Sequence, residues 1–287
     1  MVGHARSAEL DRLLAAEPMD LTPVIRTPFD QAALETTARY RGFCDRSLEY
    51  WRGVLTTARP AMFPTRRFDS TDSFYMVKFA FPGMGDAVHQ MSEELGVPST
   101  AVFLASAVSA LGKVLAIPRV TIEVTSGNRF TQADRSYVGS LTQRGVLSVD
   151  VCGGSFASIV QAAHRGLYMA YRHARYDPVS LARVVSEVAR ARETSLDLSC
   201  AFNDVRLAPE SRRRGNGESP QPATTRDDAR RIEWTGPLST QENMKFYVRI
   251  GGDAYRPVVE LTVDTRYVSR EVVMDFFSAM EELLTAT

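Results

Sequence analysis

A layered α/β or α+β domain built on a mixed sheet is the architecture the sequence predicts, and three observations predict it. Val120, Ile122 and Val124 alternate with Thr121, Glu123 and Thr125, and beyond the polar turn 126–129 a second apolar run holds Val146, Leu147, Val149 and Val151. A period of two marks half-buried strands. A very apolar segment, 100–117, precedes this unit and an amphipathic one, 155–173, follows it. Along the rest of the chain helical and strand periods intermingle, roughly five or six helices with about six strands, which is the pattern of helices layered on one sheet.

In chain order, residues 7–16 place Leu10, Leu13 and Leu14 at helical spacing with Ser7 as a cap. Pro18, Pro23 and Pro28 make 17–30 an extended connector. A longer helix is predicted from about Asp30 to Thr57, with Leu34, Tyr40, Phe43, Leu48, Trp51 and Leu55 on one face and Pro60 and Pro64 ending it. Residues 1–65 thus form an N-terminal helical segment and connector, and a lobe follows over 66–287. The strand 74–81 points Tyr75, Val77, Phe79 and Phe81 one way, and Pro82-Gly83 turns the chain. A helix over 86–95 stops at Gly96, the residue type favoured just past a helix end, and Pro98-Ser99-Thr100 opens the buried helix. After the central strand pair, Phe156, Ile159, Val160, Ala163, Leu167 and Ala170 form a core stripe. Tyr176-Asp177-Pro178 interrupts it, with a further turn or two through Val185 and Val188.

Leu196, Leu198, Cys200 and Phe202 read as another strand. The segment 207–231 is almost free of apolar residues beyond its start and rich in charge, Pro and Gly, so burial cannot offset its ordering entropy and a mobile loop is predicted. Its Arg212-Arg213-Arg214 triplet reads as solvated, with docking to an acidic partner as the alternative. Strands at 244–250 and 258–263 precede a last helix that Ser269 caps, with Val272, Phe276, Met280 and Leu283 toward the core.

Composition narrows the function classes. The 287 residues are 44% hydrophobic and 24% charged with zero formal net charge, which suits a soluble globular protein and favours neither nucleic acid nor an anionic membrane. Three cysteines (Cys44, Cys152, Cys200) and four histidines offer no CxxC or HExxH spacing, so no metal site is expected and the thiols read as reduced. No apolar run of about 18 residues and no leader-type h-region occurs, so a cytoplasmic protein without a membrane span is expected. GxGxxG, Walker and GxSxG motifs are absent.

Several local strings, in order and at matching spacing, resemble the C-terminal lobe of the condensation domains of nonribosomal peptide synthetases, within the chloramphenicol acetyltransferase-like superfamily. Tyr50-Trp51-Arg52 resembles the YW before that family's lobe boundary. Val124 to Arg129 resembles its strand ending in a Gly-Arg turn. Tyr137-Val138-Gly139 onward resembles its IGxFVNT-type motif, with Gln143 where the family has asparagine. Ser155-Phe156 through Tyr171 and His173 to Pro178 resemble its SF-helix-HxxYPF segment, and Met244-Lys245-Phe246 its KFDL region. The family's HHxxxDG motif, whose second histidine is the presumed catalytic group, has no counterpart, because the sequence contains no His-His pair. Gly3 stands either where that motif's glycine would fall or there by coincidence.

The resemblance implies a chloramphenicol acetyltransferase-like lobe with a mixed sheet flanked by helices. It implies the C-terminal half of an enzyme that joins an acyl thioester on one carrier protein to an amine on another. The catalytic residue in this chain is unknown, and a partner or missing N-terminal lobe would supply it. Ser126, Asn128, Arg129 and Gln143 would line the substrate tunnel. Ser126 and Gln143 would donate to a carbonyl or pantetheine amide, and Arg129 would brace the lobe interface or meet a phosphate. Ordinary turn chemistry is the alternative for each. No cofactor is bound tightly, since phosphopantetheine arrives on the peptidyl or acyl carrier protein. A non-catalytic carrier-protein-binding module of a biosynthetic cluster is the second reading, and a free-standing acyltransferase using His4 or His173 the third. A lobe without its mate should expose an apolar interface, for which the Tyr75/Val77/Phe79/Phe81 face and Trp234 are candidates, and should associate with itself or with an N-terminal-lobe partner.

Overall fold

A computed structural model describes residues 26–64, 66, 74–206, 229–238 and 244–286. The expectations for Gly3, His4, the helix 7–16, the first part of the connector and most of the loop 207–231 lie outside the described residues. Among the described residues seven strands form one sheet: β1 (Phe74–Ala80), β2 (Arg119–Ser126), β3 (Gln143–Asp150), β4 (Cys200–Asp204), β5 (Arg231–Thr235), β6 (Phe246–Gly252) and β7 (Pro257–Asp264). Their order is β3-β2-β4-β6-β7-β1-β5. β2 with β4 and β4 with β6 run parallel, and the other neighbours run antiparallel. This is the mixed sheet the sequence predicts.

The helices are α1 (Pro28–Glu35), α2 (Ala38–Thr57), α3 (Met84–Leu95), α4 (Ser99–Leu115), α5 (Gln132–Ser136), α6 (Phe156–Arg172), α7 (Pro178–Ala191) and α8 (Arg270–Thr285). The long helix expected from Asp30 is two. Pro28 occupies the first turn of α1, where its missing N–H costs nothing, and Thr27 with Asp30 closes a capping box. Thr37 then caps α2 by accepting from Tyr40 N, which starts a second axis. Gly96, at φ +62°, ends α3 in the left-handed conformation the sequence predicts there. The turn or two expected after Pro178 is a full helix, α7. β4 is shorter than expected, because Leu196 and Leu198 pack on a second apolar cluster instead. Arg231 opens a strand rather than closing the loop.

The main core lies between the sheet and α3, α4, α6 and α8, with α4 buried over nearly its whole length. The Tyr75/Val77/Phe79/Phe81 face belongs to this core and is not an exposed interface. Val77 and Phe79 are at most 1% exposed, and Phe79 stacks on Phe277 of α8 at 4.7 Å. Trp234 is half-buried, packed edge-on against Tyr75 with Arg270 over its ring. On the opposite face the sheet is polar and half-exposed across β4, β6, β7 and β1, where Tyr247, Arg249, Glu260 and Lys78 alternate with core residues. Arg249 pairs there with Glu260 across the strands. A second cluster (Trp51, Leu55, Val146, Tyr176, Val184, Val188) joins α2 and α7 to β3 on that face.

Two glycines test this packing with opposite signs. A Cβ at Gly145 would sit 2.5 Å from the Ala170 carbonyl oxygen of α6. Gly145→Ala should therefore cost about 1–3 kcal/mol as β3 and α6 are forced apart. Gly53, mid-helix in α2, has open space around the place a methyl would take, with nothing within 4 Å, so Gly53→Ala should gain about 0.5–1 kcal/mol. Urea denaturation of the two variants decides it, and loss of stability in both would contradict this packing.

Candidate functional site

β3 is an edge strand, and an uncapped edge leaves backbone groups unpaired. Here the carbonyls of Arg144 and Val146, two residues apart and so on the same side, accept hydrogen bonds from the hydroxyls of Tyr176 (2.8 Å) and Tyr50 (2.9 Å). Gln143 adds a two-point clasp: its Nε2 donates to Tyr176 O at 2.8 Å, and Tyr176 N donates back to its Oε1 at 3.4 Å. Trp51 lies fully buried against Tyr176, edge-on at 5.5 Å. Burial pushes both tyrosine hydroxyls up to about 12, Tyr176 with help from the Glu123 charge, so both remain donors at any physiological pH. Three strings that resemble the condensation-domain pattern, around Trp51, Gln143 and Tyr176, thus meet in one place.

Beside this junction a cleft of about 710 Å³ opens between α1–α2 on one side and segments 140–143 and 175–180 on the other. Tyr40, Cys44 and Leu48 of α2 face Asn128, Gln143 and Tyr176 across it. Its floor is an ion cluster. Asp134, 2% exposed, takes one guanidinium from Arg26 and one from Arg175, each at 2.8 Å, and caps α5 through Thr131. Burial alone would raise its carboxyl pKa, but the hydrogen bonds from Arg175 and Thr131 outweigh it and hold the group well below the usual carboxylate range. The buried charge is therefore compensated on the spot.

The sequence-predicted site residues take different places around the cleft. Asn128 and Gln143 line it. Asn128, 2% exposed and at φ +51°, donates through Nδ2 to the carbonyls of Leu141 (2.9 Å) and Ala174 (2.8 Å), tying the two loops of one wall together. Ser126 stands behind it, its hydroxyl donating to Asn128 Oδ1 at 3.0 Å. Arg129 donates to the carbonyls of Asp134, Tyr137 and Gly139, so its guanidinium shapes the 134–139 turn. His89 pairs with Glu93 on the surface of α3. His173 stacks on Tyr50 at 4.7 Å with its Nδ1 buried and without a hydrogen-bond partner. No described histidine lines the cleft.

Sequence reasoning missed Tyr40, Cys44, Asp134 and Arg175. Of these, only Asp134 has a local sequence correlate, its three-residue spacing from the capping residue Thr131. Burial, then Asp45 and Glu35, raises the Cys44 thiol pKa, so the thiol is protonated and a poor nucleophile at neutral pH. Tyr40 is pushed up to about 12, by burial first and Glu35 second. The donors of Asn128 and Gln143 in this cleft are thus spent on neighbouring backbone carbonyls, and the Cys44 thiol and Tyr40 phenol stay protonated at neutral pH. The described residues contain no group of three His, Cys, Asp or Glu able to hold a metal, and no single described helix is long and apolar enough to cross a membrane.

No protein-family description matches the sequence, and no curated protein does. Solved structures do match in fold. A structure of condensation domain-mediated chain release from the enacyloxin polyketide synthase aligns with TM-score 0.67 at 17% identity, covering 97% of this chain and 54% of that one. The PapA2 acyl transferase aligns with TM-score 0.66 at 16% identity, covering 96% and 59%. The first condensation domain of the CDA synthetase aligns with TM-score 0.65 at 14% identity, covering 95% and 58%. The chain has the mixed α/β, chloramphenicol acetyltransferase-like fold of these domains, and it spans little more than half of their length.

His173 gives the site region a pH signature. Burial, with Arg172 and Arg46 nearby, lowers its pKa in the folded state. The unfolded chain takes up the proton first, at about 6.5, so the neutral ring's contribution is complete above that pH and is lost as pH falls through it. His173→Phe keeps a ring on Tyr50 and removes the orphan nitrogen. Its stability–pH slope between about pH 7 and 5 should be shallower than wild type by up to one proton, read from urea midpoints. An unchanged slope would contradict the assigned environment.

Proposed function

We propose that this chain is the C-terminal lobe of a condensation-type acyltransferase that forms an amide bond between carrier-protein-bound substrates in nonribosomal peptide biosynthesis. One observation carries the reading. The chain aligns along 97% of its own length with only 54% of a condensation-domain structure, and the sequence holds no His-His pair from which an HHxxxDG motif could be built. The proton-handling imidazole then comes from a partner or from another part of the polypeptide, and the polar, half-exposed sheet face is available to a second lobe. In this reading the 710 Å³ cleft receives a pantetheine arm, with Gln143 and Asn128 in its wall and Ser126 and Arg129 holding that wall in shape. The chain's own contribution is to hold the arm's thioester within reach of the acceptor amine, which is a proximity effect.

The test pairs the chain with an HHxxxDG-bearing N-terminal lobe encoded beside it and offers two loaded carrier proteins. Amide product should form only with both lobes present and should vanish when the second histidine of the motif is changed to alanine. Product from this chain alone would overturn the proposal. Binding of loaded carrier without product in any pairing would favour a non-catalytic carrier-binding module.

A further inference from the structure

The exposed face of α6 carries a charge pattern that the site does not use. Between Asp150 and Asp177 the sequence has no carboxylate, yet it holds Arg165, Arg172 and Arg175 in a chain of zero net charge. Arg175 is spent on Asp134, whereas neither Arg165 nor Arg172 has an ion pair among the described residues. Residues 165, 168, 169 and 172 fall on one side of a helix, three and four apart. That side presents Tyr168, 60% exposed, and Met169, 37% exposed, between the two arginines. The opposite side of α6 is the buried stripe Ile159, Val160, Ala163, Leu167 and Ala170, so the outward residues are not needed for the core. The basic area continues onto α2 at Arg46, which lies close enough to act with Arg172 on His173. Beyond Arg172 the chain runs directly into 175–178, a wall of the cleft.

An apolar pair with a tyrosine and a methionine, rimmed by arginines, has the composition of an interface centre. Its charge selects the partner: a folded, acidic protein surface with carboxylates around an apolar residue. We propose that the α6 face formed by Arg165, Tyr168, Met169 and Arg172, with Arg46, docks such an acidic carrier protein at the mouth of the cleft. The surface follows from the charge and exposure of α6, and the choice of a carrier protein as occupant rests on the proposed function above.

The probe is a fluorescein-labelled, phosphopantetheinylated acidic carrier domain, followed by anisotropy at low and high salt. Wild-type protein should bind it with an affinity that falls as salt rises. The double variant Arg165→Glu/Arg172→Glu should weaken binding by roughly tenfold or more, and Tyr168→Ala should weaken it with less change in salt dependence. Lys113→Glu, the same charge change on an exposed α4 residue paired with Glu282, should bind like wild type. Thermal midpoints confirm that each variant is folded, as expected for surface positions. Carrier binding that survives the double charge reversal overturns this surface and leaves the amide-forming reading standing. Failure of the wild-type chain to bind the carrier, or arginine-dependent capture of single-stranded DNA or anionic vesicles in its place, overturns the docking proposal.

Discussion

Two tyrosine hydroxyls close the free edge of β3, and the arrangement around the cleft depends on them. Tyr50 and Tyr176 supply the hydrogen bonds that Arg144 and Val146 would otherwise seek from another strand. Each such bond is worth about 1 kcal/mol net, but losing one leaves a carbonyl unmatched in an apolar cluster, which costs about 1–3 kcal/mol. Because Tyr50 belongs to α2 and Tyr176 to the segment before α7, satisfying the edge fixes both against the sheet. Trp51 then fills the space between them. The cleft is the gap left between helices and loops held in this way, so its position follows from the closing of an edge.

The same residues explain why the cleft reads as a binding surface. Ser126, Asn128 and Arg129 direct their donors to neighbouring backbone carbonyls or to one another. Asp134 is balanced by Arg26 and Arg175, and burial keeps the thiol of Cys44 and the phenol of Tyr40 protonated. Such a network is rigid and preorganised.

Much of the fold was legible. β1, β2, β3, β6 and β7, and helices α3, α4, α6 and α8, follow from periodicity because each has a long apolar face on the main core. What was not legible depends on partners remote in sequence. β5 has only five residues, and its strand state comes from pairing with β1 rather than from its own pattern. The break between α1 and α2 rests on one capping hydroxyl, Thr37, and a capping box at Thr27 and Asp30 read instead as connector because of Pro28. In the last helix the buried residue is Leu284 rather than Leu283, a one-residue slip of the stripe. Of the residues expected at the site, Asn128 and Gln143 line the cleft, while Ser126 and Arg129 hydrogen-bond behind its wall. The ion cluster joins Arg26 to Asp134 across 108 positions, and no local rule reaches that far.

On the proposed function a pantetheine arm enters this cleft. Ser140 is exposed on its rim, so a Ser140→Cys variant in a Cys152→Ser background puts a reporter thiol where the arm should pass. A carrier protein whose pantetheine thiol is activated as a 2-pyridyl disulfide is then allowed to exchange with the reporter thiol, releasing pyridine-2-thione and leaving a mixed disulfide that is mapped by mass spectrometry. Crosslinking at position 140 should stand well above that of a cysteine placed at exposed Ser158, at the far end of α6. Equal crosslinking at both positions, or none at 140, would contradict the claim.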